Sequence, residues 1–517
     1  MAFDPKVLGD VRKAFPAAAP AVPIGAPIHG GETQPEPLIR IPLAMLNRHG
    51  LIAGATGTGK TKTLQVIAEG LSTAGVPVFI SDVKGDVAGL AAAGALGPAI
   101  EKRAREIGLA WRPAAFPVEL FSLTGKQGAQ LRATVSSFGP LALAKVLGLN
   151  DTQSSVLALV FKYCDDRRLP LLDFKDLRAV LTHLTGAGAD SLRDYGGVSK
   201  ASVGVLLREM VELEQQGAGV FFGEPELEIA DLLQTTADGR GQISVLELSD
   251  VQDRPALFST FMMWMLAELY HQLPEVGDLE KPKLVYFFDE AHLLFKDASK
   301  AFLDQVEQVV RLVRSKGVGI FFITQSPRDV PSSILGQLGN RVQHALRAFT
   351  ADDEKALRSA ARTFPKTPHY DIEETLTTLG TGEALVTVLG ENGAPSPPFV
   401  AKVVPPASRM GPLTAEELSQ LLRTEQVQHY ATAIDRESAY EIIAARMRAE
   451  DREAAPAPAP APRAPSPQAP TRAPREKTWT DVLESPVART VAGVVTRGLM
   501  GALLGGRPRS RPRRRGH

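Results

Sequence analysis

The chain has 517 residues, 44% of them hydrophobic and 22% charged; it is too long for one comfortable core and ordinary in composition for a globular protein. Its 58 Lys and Arg balance its 58 Asp and Glu, so no global basic field advertises a nucleic-acid partner, although local basic groups lining a channel would suffice. One cysteine, Cys164, excludes an internal disulfide framework, no stretch reaches the ~20 apolar residues of a spanning helix, and no secretory signal opens the chain; a cytoplasmic protein is expected.

Residues 1–45, rich in Pro, Gly and Ala, read as an irregular lead-in with at most one short helix. From Leu46 an α/β pattern begins and runs to about 124. RHGLIAG is an apolar strand, TKTLQVIAEGLSTAG has helical periodicity and closes on Gly75, and VPVFISD is a buried parallel strand. Beyond about residue 90 strand signals vanish, and 125–238 reads as a helical insertion carrying Cys164, there a packing residue. Strands return in a second core segment, 239–410, at ISVLELSDV, KLVYFFDE, GVGIFFITQ and VQHALRAF, with GEALVTVL as the final one. Helices are expected over 411–453. Eight prolines among alanines make 454–477 an extended spacer. Segment 478–517 has a short helical stretch and six closing arginines.

Gly54, Ala55, Thr56, Gly57, Thr58, Gly59, Lys60 and Thr61 fit the phosphate-loop pattern G-x-x-x-x-G-K-[ST] between a strand and a helix. Glycines let backbone N–H groups turn around a β-phosphate, Lys60 supplies a point charge to the β- and γ-oxygens, and the Thr61 hydroxyl ligates Mg²⁺. The helix that follows points its positive end at the phosphates. Asp289 and Glu290 close an apolar strand at the sheet edge where α/β folds bind ligands. There Asp289 would orient the Mg²⁺ shell and Glu290 would polarise the attacking water as general base. Gln325 ends another strand, where an amide can hold that water or sense the γ-phosphate. Asp82, Lys84 and Asp86 follow the second strand and serve either the site or a solvated turn. Arg311, Arg314, Arg341, Arg347 and Arg362 are the arginines available to a phosphoryl-transfer site, and His292 reads as a structural contact.

The combination GATGTGKT, ISDVKGD, YFFDEAH and FFITQ resembles the HerA/FtsK superfamily of DNA-pumping ATPases. LNDTQSSVLALVFKYCDD and LGQLGNRVQHALRAFTADDEKALR resemble its bacterial HerA-like branch, and together the likeness spans about residues 20–410. It implies a P-loop, RecA-like α/β fold with a mostly parallel sheet, to which the residue patterns add the helical insertion and a disordered Pro/Arg-rich tail. It also implies ATP and Mg²⁺ as ligands, a homo-hexameric ring and double-stranded DNA as partner. Arg314 matches the superfamily arginine implicated at the subunit interface, and Arg341 matches a second one.

Archaeal HerA proteins carry a β-barrel before the phosphate loop, which the 45 residues before Leu46 cannot hold, so partnership with the associated nuclease is in doubt. The arginine-rich end either neutralises DNA phosphates or simply keeps the chain solvated. The motor reading competes with a polypeptide-directed secretion ATPase and with a nucleotide-gated scaffold of slow turnover.

Overall fold

Among the residues that the computed structural model describes, 3–17, 19–296, 300–390 and 393–454, thirteen strands join in one sheet. In chain order these are β1 (Ala21–His29), β2 (Glu32–Thr33), β3 (Ile39–Pro42), β4 (Gly50–Ala53), β5 (Val78–Asp82), β6 (Val118–Ser122), β7 (Ala129–Gln130), β8 (Ile243–Glu247), β9 (Leu284–Phe288), β10 (Val318–Thr324), β11 (Asn340–His344), β12 (Glu383–Thr387) and β13 (Phe399–Val403). In space they run β2-β1-β13-β12-β11-β4-β10-β9-β5-β8-β6-β7, with β3 also on β1. From β11 to β7 every neighbour is parallel. From β11 to β1 the pairing is antiparallel.

The central strands are apolar along their whole length because both faces of the sheet are covered. Leu284, Tyr286 and Phe288 of β9, with Val318, Ile320 and Phe322 of β10, face one core. The alternate residues Val285, Phe287, Phe321 and Ile323 face the other. The second core receives Leu64, Ile67 and Leu71 of the helix Lys60–Thr73, and Val7 and Val11 of the helix Pro5–Ala14. Helices Val135–Val146, Asp151–Arg167, Phe174–Thr185 and Lys200–Gln215, which follow β7, bury their apolar side chains in the first core. Pro255–Gln272 joins them there through Phe261, Trp264 and Met265. The helix Val135–Val146 kinks where Gly139 takes a non-helical conformation before Pro140.

Three expectations need correction. The lead-in 1–45 is not irregular: it supplies β1, β3 and the short β2, and β1 pairs with β13 from Gly25↔Val403 to Ile28↔Val400. Prolines 23 and 27 disguise this strand in the sequence, since proline cannot donate to a ladder; β1 changes register between Pro23 and Gly25. A Cβ on Gly25 would lie 2.2 Å from the Lys402 carbonyl oxygen, so the close pairing requires glycine. Strand β6 falls where no strand was expected, because VELFS is short and only its pairing with β8 identifies it. GEALVTVL forms β12, but the final strand is β13, beyond it. Helices Ala415–Leu421, Glu425–Ala431 and Ala439–Ala454 end the described chain. The compact unit runs to Arg452. All of the expected spacer 454–477 but Ala454, and all of 478–517, lie outside the described residues.

Candidate active site

Parallel strands present all their C-terminal ends at one edge, and the polar residues of interest collect there. The phosphate loop leaves β4 and enters the helix Lys60–Thr73. Gly54 and Gly59 adopt φ of +152° and +119°, and a Cβ on Gly54 would lie 2.6 Å from His344 Cβ. Both positions therefore require glycine. The Lys60 amine is buried and donates to the carbonyl oxygens of Gly54 at 2.7 Å and Ala55 at 3.2 Å. Burial lowers its pKa, and the charges of Glu290, Asp289 and Asp329 oppose that fall.

Sequence reading overlooked His344, at the end of β11. Its Nδ1 faces the Glu383 carbonyl oxygen at 2.9 Å, and its Nε2 lies 2.8 Å from Thr63 Oγ1. A carbonyl only accepts, so Nδ1 carries the proton and Nε2 accepts from the threonine. Burial holds the ring pKa down at about 4, keeping it neutral beside Lys60. It thus braces the phosphate loop and its helix without adding charge. Only a polar residue in an apolar strand signalled it.

Asp289 is buried, and its Oδ2 has no hydrogen-bond partner. Burial first, then the neighbouring Asp82 and Glu290, raise its pKa to about 7. Such an orphaned oxygen acceptor suits a hard cation, and the Thr61 hydroxyl offers a second donor of that kind. Among the described residues no group of three or more His, Cys, Asp or Glu could hold a metal.

Glu290 takes a left-handed backbone with φ of +47°, rare for a residue with a Cβ and typical of functional turns. Its carboxylate is paired with Lys84 through Oε1, and His292 Nδ1 stands 3.1 Å from Oε2 without hydrogen-bond alignment. Asp82 organises the loop after β5 by accepting N–H bonds from Lys84, Gly85 and Val87 at 3.0, 2.9 and 2.8 Å. Burial raises its pKa to about 6. Glu247, at the end of β8 and in register with Asp82, was also overlooked. It is buried with Oε2 unpartnered, and burial together with Asp82, Asp250 and Asp86 pushes its pKa to about 8. Nothing in the string ISVLELSD marks it; the parallel pairing of β5 and β8 brings it there.

Gln325 is exposed just past β10 and lines a cavity of about 760 Å³ with Ala55, Thr56, Asp329, Arg347 and Phe349. Of the five arginines offered by the sequence, Arg347 is thus one on the phosphate-loop side. Arg314 precedes β10, at the opposite edge of the sheet, with the seven residues Val318–Thr324 between the edges, a span of about 20 Å. It cannot reach its own phosphate loop. Arg341 lies near the same far edge, and its guanidinium donates to the carbonyls of Leu338, Thr363 and Leu335 at 3.2, 3.0 and 3.1 Å. Arg311 pairs with Glu307, and Arg362 is exposed after the helix Ala351–Ala361. Beside Gly59 and Lys62 lies a smaller recess of about 180 Å³, walled by Ile100, Arg103, Pro405 and Met410. The Cys164 thiol is buried, which pushes its pKa to about 12 and makes it inert.

A lysine resting on two loop carbonyls, ready to exchange them for phosphate oxygens beside a buried unpaired acid, makes this a P-loop ATPase on a mostly parallel α/β sheet. Residues 29–513 match the family described as "Helicase HerA-like C-terminal", and the chain belongs to that family, an ATPase of the HerA/FtsK type. It is 28% identical over 155 residues to the "Probable helicase MJECL08" of Methanocaldococcus jannaschii, covering 28% of each chain. It is 27% identical over 150 residues to the "DNA double-strand break repair helicase HerA" of Sulfurisphaera tokodaii, covering 28% of this chain and 29% of that one. The matched stretches thus span under a third of those relatives' own lengths. Among solved structures, the plasmid coupling protein TrwB in complex with ADP and Mg²⁺ is similar at a TM-score of 0.48 and 15% identity, over 79% of this chain and 93% of that one. VirB4 of Thermoanaerobacter pseudethanolicus is similar at 0.47 and 13%, over 78% and 100%. No helix among the described residues is long and apolar enough to cross a membrane.

Proposed function

We propose that the protein is an ATP- and Mg²⁺-dependent translocase of double-stranded DNA that works as a homo-hexameric ring with its active sites between subunits. One observation carries the between-subunit part of this reading: Arg314, the interface arginine implied by the family resemblance, lies across the sheet from its own phosphate loop. An arginine so placed serves a γ-phosphate only on a neighbouring subunit, as ring ATPases arrange it. DNA as the polymer rests on family membership and on the relative described as a DNA double-strand break repair helicase.

In this reading Lys60 leaves the Gly54 and Ala55 carbonyls for the β- and γ-phosphates, and the base of the nucleotide lies in the recess beside Gly59 and Lys62. Thr61 and Asp289 would hold Mg²⁺, which would supply positive charge to offset that of the phosphates. Gln325 orients a water, Glu290 takes its proton as the oxygen attacks the γ-phosphorus, and the bond to the β-phosphate oxygen breaks to release ADP and phosphate. Arg314 from the neighbour offsets the charge on the departing phosphoryl group.

The deciding measurement is ATP turnover of the full chain with and without duplex DNA at low salt, beside the mass of the ATP-bound assembly. We expect stimulation by duplex and a six-subunit mass. Turnover indifferent to DNA would sink the motor reading and leave an ATPase with another client.

A further inference from the structure

The loop after β5 brings a second lysine to the acid read as the general base. We propose that Lys84 is a positioning residue that keeps Glu290 paired and idle until nucleotide and DNA are engaged; this rests on the reading of Glu290 as base. A general base must offer an oxygen to the attacking water. Here Oε1 is taken by an ammonium, which has protons to donate and no lone pair to accept one. Oε2 faces His292 at 3.1 Å. Oε2 makes no hydrogen bond there and is shut off from solvent by burial, so Oε1 is the oxygen that the lysine occupies as the chain stands.

The two partners differ in their freedom. The Glu290 side chain is 6% exposed on a left-handed backbone, whereas that of Lys84 is 43% exposed. The root of Lys84 is fixed, because Asp82 holds the N–H groups of Lys84, Gly85 and Val87. Beyond that root runs a flexible four-carbon arm. A rigid anchor with a mobile, half-solvated head can release a buried acid at small energetic cost, while the acid itself stays in place. Lys84 also senses its surroundings: burial works against its charge, but Glu290, Asp289 and Asp86 more than offset this and raise its pKa. Lys60 lies close enough for the two lysines to repel. Phosphate charge arriving at Lys60 competes for the ammonium of Lys84, so substrate binding itself loosens the pair. Nothing in the hydrolysis step needs Lys84, which separates it from the phosphate ligands.

The test compares full-length wild type, Lys84→Met, Lys84→Arg and Glu290→Gln for turnover with and without duplex DNA, and for affinity toward a fluorescent ATP analogue. Lys84→Met should raise DNA-free turnover about threefold or more at unchanged nucleotide affinity, a change in kcat rather than KM. Stimulation by DNA should shrink in proportion, and Lys84→Arg, which keeps the pair, should return both values toward wild type. A folded Lys84→Met protein with unchanged or lower turnover, while Glu290→Gln is inactive, overturns the holding role and leaves the base intact. A tenfold or so loss of nucleotide affinity in Lys84→Met also overturns it, by making Lys84 a phosphate ligand. Normal turnover in Glu290→Gln removes the base reading, and the role of Lys84 falls with it.

Discussion

The parallel strands end in two edges that treat their polar side chains differently. At the N-terminal edge Asn340 donates to the carbonyls of Met45 and His49 at 2.8 and 3.0 Å, and Arg341 donates to three more. At the C-terminal edge Asp289, Glu247, Asp86 and Asp250 each keep a buried oxygen without a partner. Leaving a buried carboxylate oxygen unsatisfied costs about 1–3 kcal/mol, more when it is charged. The N-terminal edge has deficits too, since Asn47 Oδ1, Arg48 Nε and His49 Nε2 are buried there without a partner. Among the described residues, however, the unpartnered buried carboxylate oxygens, Glu290 Oε2 included, all lie at the C-terminal edge, where a cation could fill them. The same side-chain chemistry thus has different meaning at the two edges. Arg341, despite its family-like position, has its guanidinium engaged by three carbonyls of its own chain in this conformation.

The largest test of that contrast concerns the two arginines. Arg314→Ala should lower turnover by ~10³-fold or more if it acts on a neighbour's site, with stability changed by no more than about 0.5 kcal/mol. Mixing it with Glu290→Gln protein should restore part of the activity, since some interfaces then combine an intact Arg314 with an intact Glu290. Absence of any recovery in assembled mixtures would argue against action between subunits. Next in size, Glu290→Gln should cut turnover by ~10²–10⁴-fold while nucleotide binding, read by calorimetry, persists.

Arg341→Ala should instead unfold more easily, by about 2–3 kcal/mol in chemical denaturation, because it strips three carbonyls of their donor. Its nucleotide affinity should stay the same. The smallest effect concerns pH. Asp289 has its pKa raised from 3.8 to about 7 in the fold, so the folded chain takes up a proton between those values. This group's contribution to stability therefore falls as pH rises through that window. Asp289→Asn should raise the melting temperature of the nucleotide-free protein by about 2 °C at pH 8 and by less at pH 5. In the unaltered chain Mg²⁺-dependent nucleotide binding should weaken below about pH 7, where the carboxyl is protonated. A flat response to pH would mean that Asp289 is not held protonated by the fold.

Much of this edge was legible in short strings. Gly54 to Thr61 are contiguous, and Asp289 and Glu290 follow one apolar strand, so local order alone marked them as candidates. Strands β4, β5, β9 and β10 were equally plain, since runs such as FFIT and VYFF are buried on both faces. What stayed hidden depended on contacts between distant segments. Glu247 meets Asp82 across 165 positions through the pairing of β5 and β8. Lys84 meets Glu290 through a loop that Asp82 ties down. His344 braces a helix that begins far upstream of it.

The sequence by itself therefore determined the candidates for ATP chemistry: a phosphate loop, two acids and a polar strand end, each encoded by neighbouring residues whose backbone geometry is local. Only the tertiary structure decided which polar groups were satisfied and which were left open. Proline-bearing β1 became part of the sheet because β13 was there to pair with it. Arg341 is engaged because three carbonyls of its own chain converge on it, and Glu290 is paired because Lys84 lies across from it. Burial and pairing are properties of the whole fold, and no single segment of the chain contains them.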